Sequence, residues 1–556
     1  MPVSPQPRTL LPKLVTVLVR FVSGSAMTIA IATSLTPEQV VVAAPKDIEL
    51  QVGVVQRFGR SPGDAVTLKA LSGDRLTIQG VINGQPKTIT SDTASLTIVM
   101  QPLPEPRLEE RVVFSTHRSF ESAEEDANRW KAAGIPVEIA QPNRWQVWAK
   151  RDVYTTPLLR RLLLQSAQAR GFQTAFIDTQ VLQKEPQASL TVNGQRFNKD
   201  EFTVTSRQGK IQVTSKVGDS DRTTRLYPGR LRLQPNAYGN YTLVNDVPLE
   251  AYLRGVVPHE IGTFAGQPVL EVQSILARTY ALRNLRRFQV DNYQLCADTQ
   301  CQVYFGLADA HPKTDRAIAA TRGRVLTYQN ELVDAVYSAN TGGVTAEFDD
   351  VWHGPNRPYL TTKIDSVANI WDLTQKPLSN EQNFRQFLQQ KQGFNEATEK
   401  WFRWRYDSTL AELNKDLRDY LQKKRHPLAN FKTIQRLAVT ERAPSGRVQR
   451  LQVTTDQGVV ELEKDNILIA FYAPASLMFK LDPLLNAQKQ ITGYAFSGGG
   501  LGHGVGLSQT GSYRLGALGW TSDRILQFYY PGTQLQPISD AIVFWRDPVQ
   551  LHSVKP

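Results

Sequence analysis

The chain has 556 residues, 41% hydrophobic and 21% charged, with a formal net charge of +12. That length exceeds what one hydrophobic core serves and predicts two to four domains. The positive excess points to an anionic partner or surface. Nucleic acid is set aside, since no zinc-finger, basic-zipper or phosphate-loop signature accompanies the charge, and an anionic cell wall or membrane surface remains.

In chain order, residues 1–44 come first. Arg8, Lys13 and Arg20 lie within or beside apolar runs, and FVSGSAMTIAIATSL is rich in small apolar residues. This predicts an export signal, cleaved near Ala43 or Ala44 or kept as an N-terminal membrane anchor, and hence a protein of the periplasm or cell envelope. Residues 45–105 alternate apolar and polar between turn residues (IELQVGVV, AVTLKAL, RLTIQGVI, SLTIVM) and predict a small β-rich segment. QPLPEPRLEE, rich in proline and charge, predicts a linker.

Residues 108–184 predict the order βαββαβ. RVVFSTHR is a strand, and a helix capped by Ser119 and stopped by Gly134 follows. Two strands, IPVEIAQPN and RWQVWAKR, lead to a second helix ended at Gly171, and FQTAFIDTQ closes the unit. By element order and length this resembles the SPOR (sporulation-related repeat) domain, which implies binding to peptidoglycan glycan strands stripped of their peptides. An RNA-recognition motif shares the plan, but its aromatic pattern is missing from both central strands.

From residue 186 strands return (SLTVNG, EFTVTS, KIQVTSK, GRLRLQP, NYTLVND), followed by helical spacing in VPLEAYLRG. VVPHEI, residues 256–261, reads as an apolar turn just before a helix starting at Pro268. Glu260 there is flanked by Val256, Val257 and Ile261, and burial raises a carboxyl pKa, which makes Glu260 a candidate general acid. Cys296 and Cys301, the only cysteines, admit a local disulfide, two free thiols, or half of a zinc site completed from elsewhere. Residues 370–430 predict a solvated helical excursion, and residues 541–556 a C-terminal tail. The glycine-rich FSGGGLGHGVGLSQTG holds His503 between Gly502 and Gly504. It lacks the surroundings of a dinucleotide fingerprint and the Gly-x-Ser-x-Gly of a nucleophile elbow.

Six stretches in order, VPLEAYLRGVVPHEI, LARTYAL, CADTQCQVY, YSANTGG, GHGVGLSQTG and YYPGT, resemble the SpoIID/LytB family of bacterial cell-wall proteins over residues 186–540. The resemblance implies an α+β, multi-domain chain with a strand-rich catalytic domain. It implies a lytic transglycosylase that cleaves the MurNAc–GlcNAc bond of peptide-free strands and leaves 1,6-anhydroMurNAc ends. Glu260 falls on the family's catalytic acid. Arg278, Ser338, Gly342, Gly343, Tyr359, His503, Ser508 and Gln509 are the expected substrate contacts, with a salt bridge to a fold carboxylate the competing role for Arg278. The alternative is a non-catalytic wall-binding modifier of an N-acetylmuramoyl-L-alanine amidase, which would then be a partner. A zinc enzyme centred on the two cysteines ranks last, because Gln300 stands where a histidine often precedes the second cysteine; no cofactor is expected. Thr361 replaces a common lysine in RPYLTTK, which removes one expected contact.

Overall fold

A computed structural model describes residues 47–548 apart from Asn83 and Lys199. The expected export signal and the second half of the expected tail lie outside the described residues. No helix among the described residues is long and apolar enough to cross a membrane.

The fold is α+β, as the sequence predicts. Its strands interleave across the segment boundaries read from the sequence. Among the described residues, one seven-stranded sheet runs Leu295–Cys296, Glu49–Phe58, Tyr241–Pro248, Arg230–Pro235, Phe202–Ser206, Leu76–Ile82 and Gln85–Ser91. Strands from the first hundred residues thus hydrogen bond to strands from beyond residue 200. Their alternating side chains (Leu50, Val52, Leu68, Leu96, Val204, Leu231) all point into one core.

The predicted linker is a strand. Residues 101–110 lie within Thr93–His117, which pairs antiparallel with Phe176–Val192. The pairing breaks between Pro102 and Arg107, where Pro104 and Pro106 fall. Proline lacks a ladder donor, so it sits where the register slips instead of ending the strand.

This long strand hands the sheet on to the βαββαβ unit. Helix α1 (Phe120–Ala132) is capped by Ser119, whose hydroxyl accepts from the Ser122 N–H, and helix α2 (Pro157–Ala169) is capped by Thr156. The four strands lie in the order Phe176–Val192, Thr93–His117, Trp145–Ala149, Val137–Ala140, or 4-1-3-2 in order along the unit, each pair antiparallel. That is the split-βαβ plan expected from the pattern. Its core stacks Phe114, Phe120, Trp130 and Trp145, and Trp145 also meets Phe288 at 5.1 Å between ring centroids.

Helix α3 (Leu249–Ile261) and helix α4 (Gln267–Arg283) pack against the first sheet, and α4 starts with Pro268 in its first turn as predicted. VVPHEI is not a turn before a helix. It is the last turn of α3, which tolerates Pro258 near its end and stops at Gly262, where φ is +71°. The helical excursion contributes helices Glu381–Gln389 and Leu410–Lys423. Each buries one face, through Phe384, Phe387 and Leu388 and through Leu413, Leu417 and Leu421.

Candidate functional site

Glu260 stands in the last turn of α3, with Val256, Val257 and Ile261 buried around it. Its Oε1 accepts the Val303 N–H at 2.7 Å, and Tyr337 and Gln509 also hydrogen bond toward the carboxyl. Desolvation outweighs these bonds and pushes the Glu260 carboxyl up to about 7. Its seat at a helix C-terminus, the negative end of the dipole, works in the same direction.

The carboxyl faces a cavity of about 550 Å³. One wall carries Tyr280, Cys301, Tyr337, Ser338, His503 and Gln509; a second carries Trp352, Asp465 and Leu468. The βαββαβ unit supplies a third, with Arg118, Ser119, Phe120 and Glu121 at the start of α1. Among the described residues two other carboxyls line the space, and both are engaged. Glu121 is paired with Arg287, and Asp465 accepts from the Ser119 hydroxyl at 2.9 Å. Among the described residues neither Glu260 nor Asp465 makes an ion pair, but Asp465 is held by the Ser119 hydroxyl, whereas the Glu260 carboxyl faces the space from the end of α3.

Local sequence explains how these groups meet. The strand Tyr337–Ser338 pairs in parallel with Leu507–Ser508, so the YSANTGG and GLSQTG stretches run side by side. The glycine-rich turn between them and the excursion has to pass very close to its neighbours. A Cβ at Gly504 would lie 2.1 Å from the buried guanidinium of Arg447, and one at Gly506 would lie 2.2 Å from the Val336 carbonyl, both positions having positive φ.

Of the expected substrate contacts, the structure brings Ser338, His503 and Gln509 to the cavity with Glu260. Gln509 Nε2 donates to the Glu260 carbonyl at 2.8 Å and so fixes the acid's backbone. His503 offers a ring face more than a donor. Its Nδ1 accepts from the Val505 N–H, it makes a backbone hydrogen bond to Tyr337, and its ring lies 4.9 Å from Trp352. Burial lowers its pKa to about 4, so it is neutral at physiological pH.

The others lie away from the cavity: Arg278 takes the competing role named for it, and Ser508, Gly342, Gly343 and Tyr359 depart from the expected contacts. Arg278 is fully buried, and its Nε and Nη2 donate to the two carboxylate oxygens of Glu250 at 2.8 Å each. A buried guanidinium needs such a partner, and a carboxylate of the fold provides it. Gly343 N–H and the Ser508 hydroxyl both donate to the buried Glu396, and Gly342 packs against the Gly499 backbone and Met478. Tyr359 is buried and accepts the Asp334 N–H at 2.9 Å. None of the five lines the cavity.

Cys296 and Cys301 form a disulfide, which removes both thiolates as metal ligands. Among the described residues no group of three or more histidine, cysteine or acidic side chains could hold a metal ion. The disulfide instead closes the loop that presents the Val303 N–H to Glu260. Two residues that the sequence reading passed over complete the arrangement. Gln302 bridges Tyr252 and Tyr337, both at 3.2 Å, and Tyr337 reaches Glu260. Both sit beside residues already singled out, Cys301 and Ser338, and that adjacency was the available signal.

Residues 237–328 match the family described as Stage II sporulation protein (SpoIID), and residues 346–506 match a domain of unknown function, DUF8618. The amidase enhancer of Bacillus subtilis (strain 168) is 28% identical over 304 residues, which is 51% of this chain and 40% of that protein. The stage II sporulation protein D of the same organism is 25% identical over 317 residues, 54% of this chain and 77% of that protein. An uncharacterized protein of Brachyspira hyodysenteriae is 26% identical over 301 residues, 53% of this chain and 68% of its own length. The chain therefore spans less than half of the amidase enhancer. The SpoIID match contains Glu260 and the disulfide, whereas Trp352, Asp465 and His503 come from the DUF8618 segment.

Proposed function

We propose that this chain, a member of the SpoIID/LytB family, is a peptidoglycan lytic transglycosylase of the cell envelope, with Glu260 as its single acid and base. The observation that carries the reading is one carboxyl, pushed up to about 7 and free of any cationic partner among the described residues, facing a cavity large enough for sugar rings. Ordinary glycosidases need a second carboxylate to act as base or nucleophile. Glu121 and Asp465 are already committed to Arg287 and Ser119. A lone acid suffices when the substrate supplies the attacking group.

Protonated Glu260 gives its proton to the oxygen joining N-acetylmuramic acid to N-acetylglucosamine, and the bond from that oxygen to the muramyl anomeric carbon breaks. The muramyl 6-hydroxyl attacks the anomeric carbon and returns its proton to the Glu260 carboxylate. The products are a 1,6-anhydromuramyl end and a free N-acetylglucosamine 4-hydroxyl. The Val303 N–H and Tyr337 stabilise the carboxylate between the two transfers and hold its pKa near neutrality, where one group can both give and take a proton.

The similarity to an amidase enhancer favours a second reading, a wall-binding protein that stimulates a separate amidase. Mass spectrometry of peptide-free glycan strands after incubation separates the two. Anhydromuramyl ends formed by the wild type and not by Glu260→Gln support the transglycosylase. Intact strands, together with faster peptide release when a cell-wall amidase is added, would move the assignment to the modifier.

A further inference from the structure

A second cavity, of about 310 Å³, adjoins the first, since Leu468 lines both. Arg118, on the wall of the first, donates Nη1 to the Leu468 carbonyl at 2.7 Å. Three segments meet around the second cavity. The βαββαβ unit brings Arg144, the helix Leu410–Lys423 brings Tyr420 and Lys423, and the turn after Ile467–Ala470 brings Tyr472.

Two features call for a ligand. Tyr472 is 95% exposed, an aromatic ring held out in water while its backbone N–H is fixed by Asp416 Oδ2 at 3.1 Å. Folding gains nothing from a large ring left so bare, and tyrosine at a rim is a common anchor for an amphipathic partner. Arg144 and Lys423 are also exposed, and neither makes a hydrogen bond or ion pair among the described residues. The acidic groups lining the cavity are occupied: Asp416 accepts from Tyr472, and Asp419 is held by Lys415 at 3.0 Å. Tyr420, raised to about 12 by burial, keeps its hydroxyl proton as a donor. Among the described residues the cavity thus offers aromatic faces and two uncommitted cations, next to the space that holds Glu260 and sharing Leu468 with it.

We propose that this second cavity is a distal subsite for the same glycan strand. Tyr472 stacks on a sugar face, and Arg144 and Lys423 pair with the free lactyl carboxylates of peptide-stripped muramyl units. The inference rests on the reading of the Glu260 cavity as a glycan site and deepens it. It gives a physical reason for choosing peptide-free strands, because a lactyl group amidated by a stem peptide carries no charge for either cation to meet. The excursion and the βαββαβ unit then act together as a strand guide beside the acid.

The test uses the full chain carrying Glu260→Gln, with binding of peptide-free glycan oligosaccharides of increasing length measured by calorimetry. Affinity should rise with length in this parent. Adding Tyr472→Ala or Arg144→Ala should remove about a tenfold gain from the longer oligosaccharides and leave the shortest unaffected. Chitooligosaccharides, which lack the lactyl carboxylate, should respond to Tyr472→Ala and not to Arg144→Ala. Both substitutions fall on exposed side chains, so folding is preserved. Equal binding by parent and variants at every length, or equal weakening of short and long oligosaccharides, would overturn the subsite. A parent that binds no oligosaccharide of any length would overturn the glycan reading itself.

Discussion

At the scale of single residues, two charged groups of the central region have opposite fates, and burial explains both. Glu260 has no cation against it among the described residues, so burial keeps it protonated near neutrality; Arg278 is paired with Glu250 in the core. Folding raises the Glu260 pKa from 4.5 to about 7. The stability tied to its protonated form is therefore fully present below pH 4.5 and lost as pH rises through 7. Glu260→Gln, which is always neutral, should melt above the wild type at pH 8 and level with it at pH 4, as thermal denaturation at the two pH values checks. Removing one partner of the buried pair works differently. Arg278→Ala strands Glu250 and should cost about 3–5 kcal/mol in denaturant unfolding. Replacing both residues together should cost less than that single change, since neither charge is then left alone. The burial of Glu260 was legible in the sequence because apolar neighbours at 256, 257 and 261 announce it directly. The sequence did not single out Glu250 as the carboxylate beside Arg278, nor Glu396 as the partner of Ser508 and Gly343, because these partners are far away in sequence.

At the scale of elements, the acid is tuned by a loop. The Cys296–Cys301 disulfide closes the turn that delivers the Val303 N–H, and that bond lowers the Glu260 pKa against the pull of desolvation. A cross-link closing so short a loop stabilises by about 2 kcal/mol. Cys301→Ser should therefore lower the melting temperature modestly. It should also move the alkaline limb of the activity profile to higher pH, because a loosened Val303 N–H stabilises the carboxylate less. A purely structural cross-link would lower the melting temperature and leave the limb in place, so a pH–rate profile of the variant distinguishes the two. Helices were legible from their caps, Ser119 with Gly134 and Pro268 among them, since capping is local chemistry. The final turn of α3 was not, because Pro258 ordinarily marks a helix boundary and only packing against the sheet carries the helix past it.

At the scale of the whole molecule, the segments are joined more closely than a reading in chain order predicts. Strands from residues 49–91 complete the sheet built by residues 202–248, and the strand Thr93–His117 serves both that body and the βαββαβ unit. Linear sequence could not reveal this, since pairing between strands so distant in the chain, such as Glu49 with Pro248, leaves no periodic mark in either. A chain beginning at residue 186 should consequently fail to give a cooperative unfolding transition, although the resemblance alone would start the catalytic domain there. Ion pairs lock the unit to the core around the cavity, with Arg286 on Glu124 and Arg287 on Glu121, and Trp145 Nε1 donates to Gln300 at 2.9 Å. The cavity that results places Glu260 among walls from three regions of one chain. The most direct test of that arrangement is the pH dependence of kcat/KM for anhydromuramyl-end formation on peptide-free strands, with Glu260→Gln run alongside. With Glu260 as the acid, the rate should decline above about pH 7 as the carboxyl loses its proton, and the variant should be slower by at least about a hundredfold. A wild-type rate that stays level from pH 6 to about 9, or a variant as fast as the wild type, would contradict that role.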